Sequence, residues 1–187
     1  MLIFTGRFQP FHNGHLAIID YLNKTYPNEV ICVAIIKDFP FINPKDDFDK
    51  RVDIELSKSI ALFNSETILQ LINEVLIHRN YTNVVTTLMP RASVESWNVI
   101  ECLFDSERTW VFTDNRLYTD LWEKSKVNFY HSKHEDVLLV PINKAISGSD
   151  IREIIEKKEF EKLEEFVPYE IFNFICNLKN NNVLNIL

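Results

Sequence analysis

The sequence predicts an α/β fold, a parallel sheet with helices on both faces, and three observations carry that expectation. Short apolar runs rich in β-branched and aromatic residues recur along the 187 residues. They are continuous rather than alternating, as strands buried on both faces of a parallel sheet require. Stretches with helical spacing separate them, and strand–helix alternation implies right-handed crossovers. All three glycines of the chain, Gly6, Gly14 and Gly148, fall where a strand gives way to a helix.

In order, LIFT (2–5) is the first strand, GRFQPFHNG its turn and HLAIIDYLNK the following helix. VICVAII (30–36) is the second strand. KDFPFINPKDDF (37–48), with two prolines and no periodicity, reads as a loop at its end. DKRVDIELSKSIALF and ETILQLINEVLI have helical periodicity, and VVTTLM (84–89) is the third strand. VESWNVIECLF predicts a helix, TWVF (109–112) a strand, RLYTDLWEK a helix, and VNFYH (127–131) and VLLV (137–140) two further strands. The pattern then turns wholly helical. SDIREIIEKKEFEKLEEF reads as one stretch with Ser149 as its N-cap, and Pro168 opens a last helix, PYEIFNFICNLK. The final NNNVLNIL is expected to fray. A single domain, 1–187, follows, with an α/β core over 1–145 and a loop and helical cap over 146–187.

Composition narrows the function. A net charge of -7 argues against a broad nucleic-acid surface, which needs clustered Lys and Arg, but allows a small phosphorylated ligand held by a few cations. Cys32, Cys102 and Cys176 form no CxxC or Cys/His cluster, so neither a disulfide framework nor a zinc site is expected, and a reducing cytoplasm fits. The opening LIF is too short for a signal-peptide core, and no apolar run approaches the ~20 residues that span a bilayer. Assembly into a homo-oligomer is left open.

The turn after the first strand is built like an anion cradle. Gly6 leaves the strand where a side chain would obstruct a ligand, and Gly14 brings backbone close to a helix N-terminus, whose N–H groups attract phosphate. His12 and His15 lie on one side of the first helical turn, and Arg7 adds a permanent cation. An isolated HxxH more often caps a helix or sits on the surface; the flanking glycines tip this one toward a ligand. AISGSDIRE forms a second loop running into a helix, with Arg152 three residues after Ser149. His131 and His134 in FYHSKHED read as exposed rather than metal-binding, and His78 belongs to no motif.

GRFQPFHNGH resembles the (H/T)xGH signature of the nucleotidylyltransferase superfamily, and ISGSDIR resembles its C-terminal ISxTxIR-type signature. GRFQPxHxGH is similar in particular to archaeal-type nicotinamide mononucleotide adenylyltransferases. The resemblance implies a Rossmann-like fold with a C-terminal helical cap, ATP and a mononucleotide as partners, and Mg²⁺ bound mainly through the ATP phosphates. It implies catalytic roles for His12, His15, Arg7 and Arg152. ATP would contact Gly6, Phe8, Gln9, Asn13, Gly14, Arg51, Ser147, Gly148 and Ser149, and the acceptor Trp97, Thr113 and Asn115. Departures occur on the acceptor side: Asp114 stands where the family has glycine, and Pro90 and Val94 where polar residues precede the tryptophan.

The reaction so implied is AMP transfer from ATP to the phosphate of nicotinamide or nicotinate mononucleotide, releasing pyrophosphate. A phosphate monoester has its second pKa near ~6, so the nucleophile is anionic at neutral pH and needs no strong base. Histidine, arginine and backbone donors suit that chemistry, and no GxSxG elbow, Walker A loop or GxGxxG fingerprint competes with it. Two alternatives stay open. One is the same machinery with another phosphate-monoester acceptor such as phosphopantetheine, or with CTP as donor; the other is an inactive nucleotide-binding regulatory module.

Overall fold

The computed structural model describes residues 1–37, 62–90, 99, 102–104, 108–113, 135–141 and 146–180. Among them, five strands, β1 (Leu2–Gly6), β2 (Ile31–Ile36), β3 (Val84–Met89), β4 (Arg108–Thr113) and β5 (Glu135–Val140), form one sheet in the order β3-β2-β1-β4-β5. Every pairing is parallel, as the continuous apolar runs predict. β4 and β5 start earlier than their apolar cores because the backbone ladder runs on through polar residues, pairing Arg108 with Glu135 and Thr109 with Asp136. A ladder needs N–H and C=O groups, not apolar side chains. The expected strand VNFYH, the loop after Lys37, the helix expected in RLYTDLWEK and most of DKRVDIELSKSIALF (49–63) and VESWNVIECLF lie outside the described residues; Leu62 and Phe63, at the end of the 49–63 stretch, form a bend rather than helix.

One face of the sheet, built from Leu2, Phe4, Ile31, Val33, Ile35 and Val111, carries the main core. Helices α1 (Asn13–Thr25) and α2 (Ser65–His78) bury Leu16, Ile18, Ile19 and Leu22, and Ile68, Leu71, Ile72, Val75 and Leu76, in that core. Each such isoleucine or leucine, once fully buried, contributes about 1.5–3 kcal/mol. The opposite face presents Ile3, Cys32, Ala34 and Trp110, against which Phe104 packs edge-on to Trp110 at 6.0 Å.

The C-terminal part departs from the expected single stretch. Helix α3 spans Gly148–Glu156, a 3-10 turn follows over Phe160–Glu165, and α4 spans Tyr169–Asn180. The break falls at Lys158, whose φ of 59° ends the helix, so that Phe160 and Leu163 can turn into the core. The N-cap of α3 is Ser147, not Ser149: the Ser147 hydroxyl accepts the Asp150 N–H at 3.3 Å, and Asp150 Oδ2 accepts the Ser147 N–H at 2.8 Å. Ser149 already lies inside the helix. α4 docks on α2 through Phe174 against Phe63, 5.4 Å between ring centroids, and through a 2.5 Å contact between His78 Nδ1 and Glu170. Among the described residues no helix is long and apolar enough to cross a membrane.

Candidate active site

β1 is the central strand, and the strand order turns at its junction with β4, where open parallel sheets place their ligand crevice beyond the carboxyl ends. The β1–α1 loop lies there. Gly6 is required by close approach, since a Cβ on it would sit 3.0 Å from the Phe8 ring. Phe8 itself has φ 51°, a left-handed conformation that costs a non-glycine residue about 1–3 kcal/mol. That conformation sends its ring into the core beside Phe4 and Phe11, at 5.4 and 5.8 Å between centroids.

His12 is the N-cap of α1 and is 1% exposed. Its Nδ1 accepts the Gly14 N–H at 3.1 Å, and His15 Nδ1 in turn accepts the His12 N–H at 3.2 Å. Capping and ligand binding are therefore not alternatives. With Nδ1 occupied as an acceptor, the proton of each neutral imidazole belongs on Nε2, which makes Nε2 the donor on both rings. The rings stack at 3.6 Å, and His15 is further held by Phe8 at 5.0 Å and Phe11 at 5.6 Å. The first turn of α1 contains no acidic residue, but its N–H groups are engaged, Asn13 donating to the Phe166 carbonyl, Gly14 to His12 Nδ1 and His15 to the His12 carbonyl, so an anion here would meet the helix dipole and the imidazoles rather than open N–H groups.

The second loop meets the first. Arg152 donates from Nη1 to the Gln9 carbonyl at 2.6 Å and from Nη2 to Ser149 Oγ at 2.9 Å. Gly148 makes room for this, because a Cβ there would lie 3.1 Å from the Gln9 carbonyl oxygen. Partial burial, and then the nearby Arg7 charge, lower the pKa of the Arg152 guanidinium from its ordinary value, against the opposing pull of Glu156. Two like charges in one place, with a helix N-terminus beside them, describe a site for a polyanion. Asp150 is held below the usual carboxylate range by hydrogen bonds from the Ser147 side chain and backbone.

His12, His15, Arg7, Gly6, Gly14, Ser147, Gly148, Ser149 and Arg152 are thus gathered at the two loops. Three other expected contacts have different occupations. The Phe8 ring is buried at 2% exposure. Both ends of the Gln9 side-chain amide are spent on the backbone of Phe63. Asn13 Nδ2 donates to the Glu165 carbonyl at 3.0 Å, beside a bond from the Asn13 N–H to the Phe166 carbonyl at 2.8 Å. Arg51, Trp97, Asp114 and Asn115 lie outside the described residues, as do His131 and His134; of Thr113 only its place at the end of β4 is described. The cap by Asp150 was missed, although Ser147 followed three residues later by an acid is a capping-box pattern.

A sequence model of the Cytidylyltransferase-like family matches residues 3–154. The chain belongs to that family. The match bears out the superfamily that the two signatures implied and makes the protein a nucleotidyltransferase. A nicotinamide-nucleotide adenylyltransferase of Methanococcus vannielii is 26% identical over 173 residues, covering 92% of this chain and 86% of its own length. One from Sulfurisphaera tokodaii is 53% identical over 36 residues, 19% of this chain and 21% of that one.

Among solved structures, a Vibrio parahaemolyticus protein provisionally assigned as a nicotinate-nucleotide adenylyltransferase has a TM-score of 0.56 at 14% identity. It covers 94% of this chain and 97% of its own. Thermotoga maritima TmcAL, solved with alpha-thio ATP, has a TM-score of 0.60 at 12% identity and covers 96% of this chain; this chain spans 56% of TmcAL. These two likenesses carry the fold.

Proposed function

We propose that this family member transfers AMP from ATP to nicotinamide or nicotinate mononucleotide, releasing pyrophosphate in NAD synthesis. The observation that carries the reading is the meeting of the two signature loops at Gln9 and Arg152, which brings the Arg152 guanidinium against the loop that leads to His12 and His15. The likeness to the Methanococcus vannielii adenylyltransferase, over most of both chains, supports the acceptor.

The acceptor phosphate attacks the α-phosphorus in line, and charge grows on the α-phosphate and the departing pyrophosphate. His12 and His15 donate from Nε2 to that charge, with their orientation fixed by their Nδ1 bonds. Arg152 holds the β- and γ-phosphates through the N–H groups that Gln9 and Ser149 leave it, and Arg7 adds charge. Catalysis is then positioning and neutralisation of charge, without proton abstraction.

Imidazole, guanidinium and hydroxyl groups at the two loops suit an ion carried on the nucleotide's own phosphates, because Asp150, the carboxylate of the second loop, is engaged in capping α3. Mg²⁺ so carried would share the neutralisation of phosphate charge. The buried thiol of Cys32 and the unpaired state of all three cysteines support a cytoplasmic setting.

Asp114, in place of the expected glycine, favours a second reading in which the same machinery serves another phosphate monoester or takes CTP. One assay separates them: pyrophosphate release with Mg²⁺ and ATP or CTP, offering nicotinamide mononucleotide, nicotinate mononucleotide or phosphopantetheine. NAD or its acid analogue is expected. Release with phosphopantetheine alone overturns the first reading, and nucleotide binding without release favours a regulatory module.

A further inference from the structure

Gln9 joins three parts of the molecule. Its side chain is buried, with Nε2 donating to the Phe63 carbonyl at 2.5 Å and Oε1 accepting the Phe63 N–H at 3.1 Å. This two-point bond imitates a pair of strands, with a side-chain amide standing in for a backbone one. Phe63 directly precedes Asn64, the N-cap of α2, and its ring packs on Phe174 of α4. The Gln9 main-chain carbonyl, meanwhile, receives Arg152 from the start of α3.

We propose that Gln9 is a positioning residue for the phosphate half of the site: by pinning its own carbonyl through Phe63, it sets the plane of the Arg152 guanidinium. The inference rests on the reading of Arg152 as a phosphate ligand, and it replaces the expectation that Gln9 lines the nucleotide pocket. A guanidinium offers five N–H groups in one plane. Two acceptors, the Gln9 carbonyl and Ser149 Oγ, fix that plane, and the direction of the remaining N–H groups follows. The carbonyl sits between a left-handed Phe8 and Pro10, outside any helix or strand ladder. Its side-chain bond to Phe63 therefore supplies the anchoring that regular structure would give elsewhere.

The test is Gln9→Met, which keeps the volume and removes both bonds to Phe63, with binding measured calorimetrically for ATP, AMP and inorganic tripolyphosphate. Affinity for ATP and tripolyphosphate is expected to fall about tenfold, the scale of a misdirected charge-assisted bond, and affinity for AMP to stay unchanged. The Phe63 amide should exchange faster with solvent. Combining Gln9→Met with Arg152→Lys should weaken tripolyphosphate binding no further than Arg152→Lys alone.

An equal loss for AMP overturns the inference, because it makes Gln9 a direct nucleotide contact. So does unchanged tripolyphosphate binding alongside faster exchange at Phe63, or wild-type protein that binds AMP but not tripolyphosphate. Should the methionine variant not fold, Gln9→Asn, which keeps an uncharged amide but is one methylene shorter in its reach to Phe63, carries the same comparison. Transfer to a mononucleotide is not the readout. A protein that binds ATP yet serves neither nicotinamide nor nicotinate mononucleotide overturns the proposed function and leaves this inference standing.

Discussion

The imidazoles of His12 and His15 stack at 3.6 Å, each with Nδ1 accepting a backbone N–H of the same helical turn. Residues assigned to stabilise a transition state are thus also the cap of α1. His15→Ala should lower pyrophosphate release by at least ~10²-fold, as loss of a transition-state donor does. It should also cost about 1 kcal/mol of stability from the lost cap. Thermal melts should show that cost as a drop of roughly 2–4 °C. Unchanged turnover with the lowered melting temperature would leave His15 a cap and nothing more.

Gly148→Ala tests the meeting of the two loops. The added Cβ would lie 3.1 Å from a backbone oxygen, that of Gln9, and backbone cannot swing aside as a side-chain end can. A loss of about 1–3 kcal/mol is expected, with a raised KM for ATP. Denaturant unfolding and ATP-dependent kinetics on the same preparation check both; wild-type values for the two would show that the loops have slack here.

Asp150 gives a pH signature. Hydrogen bonds from Ser147 hold its carboxyl below the ordinary value in the folded protein. The folded state therefore binds the proton less readily than the unfolded chain, and the resulting stability is full above the ordinary value of about 3.9. It is lost as pH falls through the folded value. Asp150→Asn should be less stable than wild type at neutral pH, and the gap should close in acid. Urea titrations across that range measure it; a gap independent of pH would place the cap's contribution outside the charge.

Cysteine labelling reports on the sheet. Cys32 lies on β2 facing Ala34 and Trp110, and burial pushes its thiol up to about 11, whereas Cys102 is exposed. Iodoacetamide at about pH 8 should modify Cys102 readily and spare Cys32 until the protein is unfolded, because the thiolate is the reactive form. Equal labelling of the folded protein, read by peptide mass spectrometry, would contradict the packing of that face.

Strand identity was legible because parallel strands buried on both faces are apolar without interruption, as ICVAII is. The two signature loops were legible because glycine is so scarce here that its positions carry information. Lys158 was not: nothing in EKKEFEKLEEF distinguishes a residue about to turn left-handed from a helical neighbour, and the turn is imposed by burial of Phe160 and Leu163. The bond made by the Gln9 side chain was not legible for a related reason. Its partner Phe63 is 54 residues away, and a glutamine bonded to backbone leaves no mark at the partner's position, since any residue supplies an N–H and a C=O.

The contact between Arg152 and Gln9 spans 143 residues, joining the first loop of the chain to one near its end. β1, β2 and β3 can pair as the first half of the polypeptide is made, but the two loops do not meet until α3 has docked. A ligand that grips both loops would hold that long closure in place and add its own binding free energy to the folded side of the equilibrium. Bound nucleotide would in that sense be a fastener as well as a reactant, tying the first loop of the chain to one near its end.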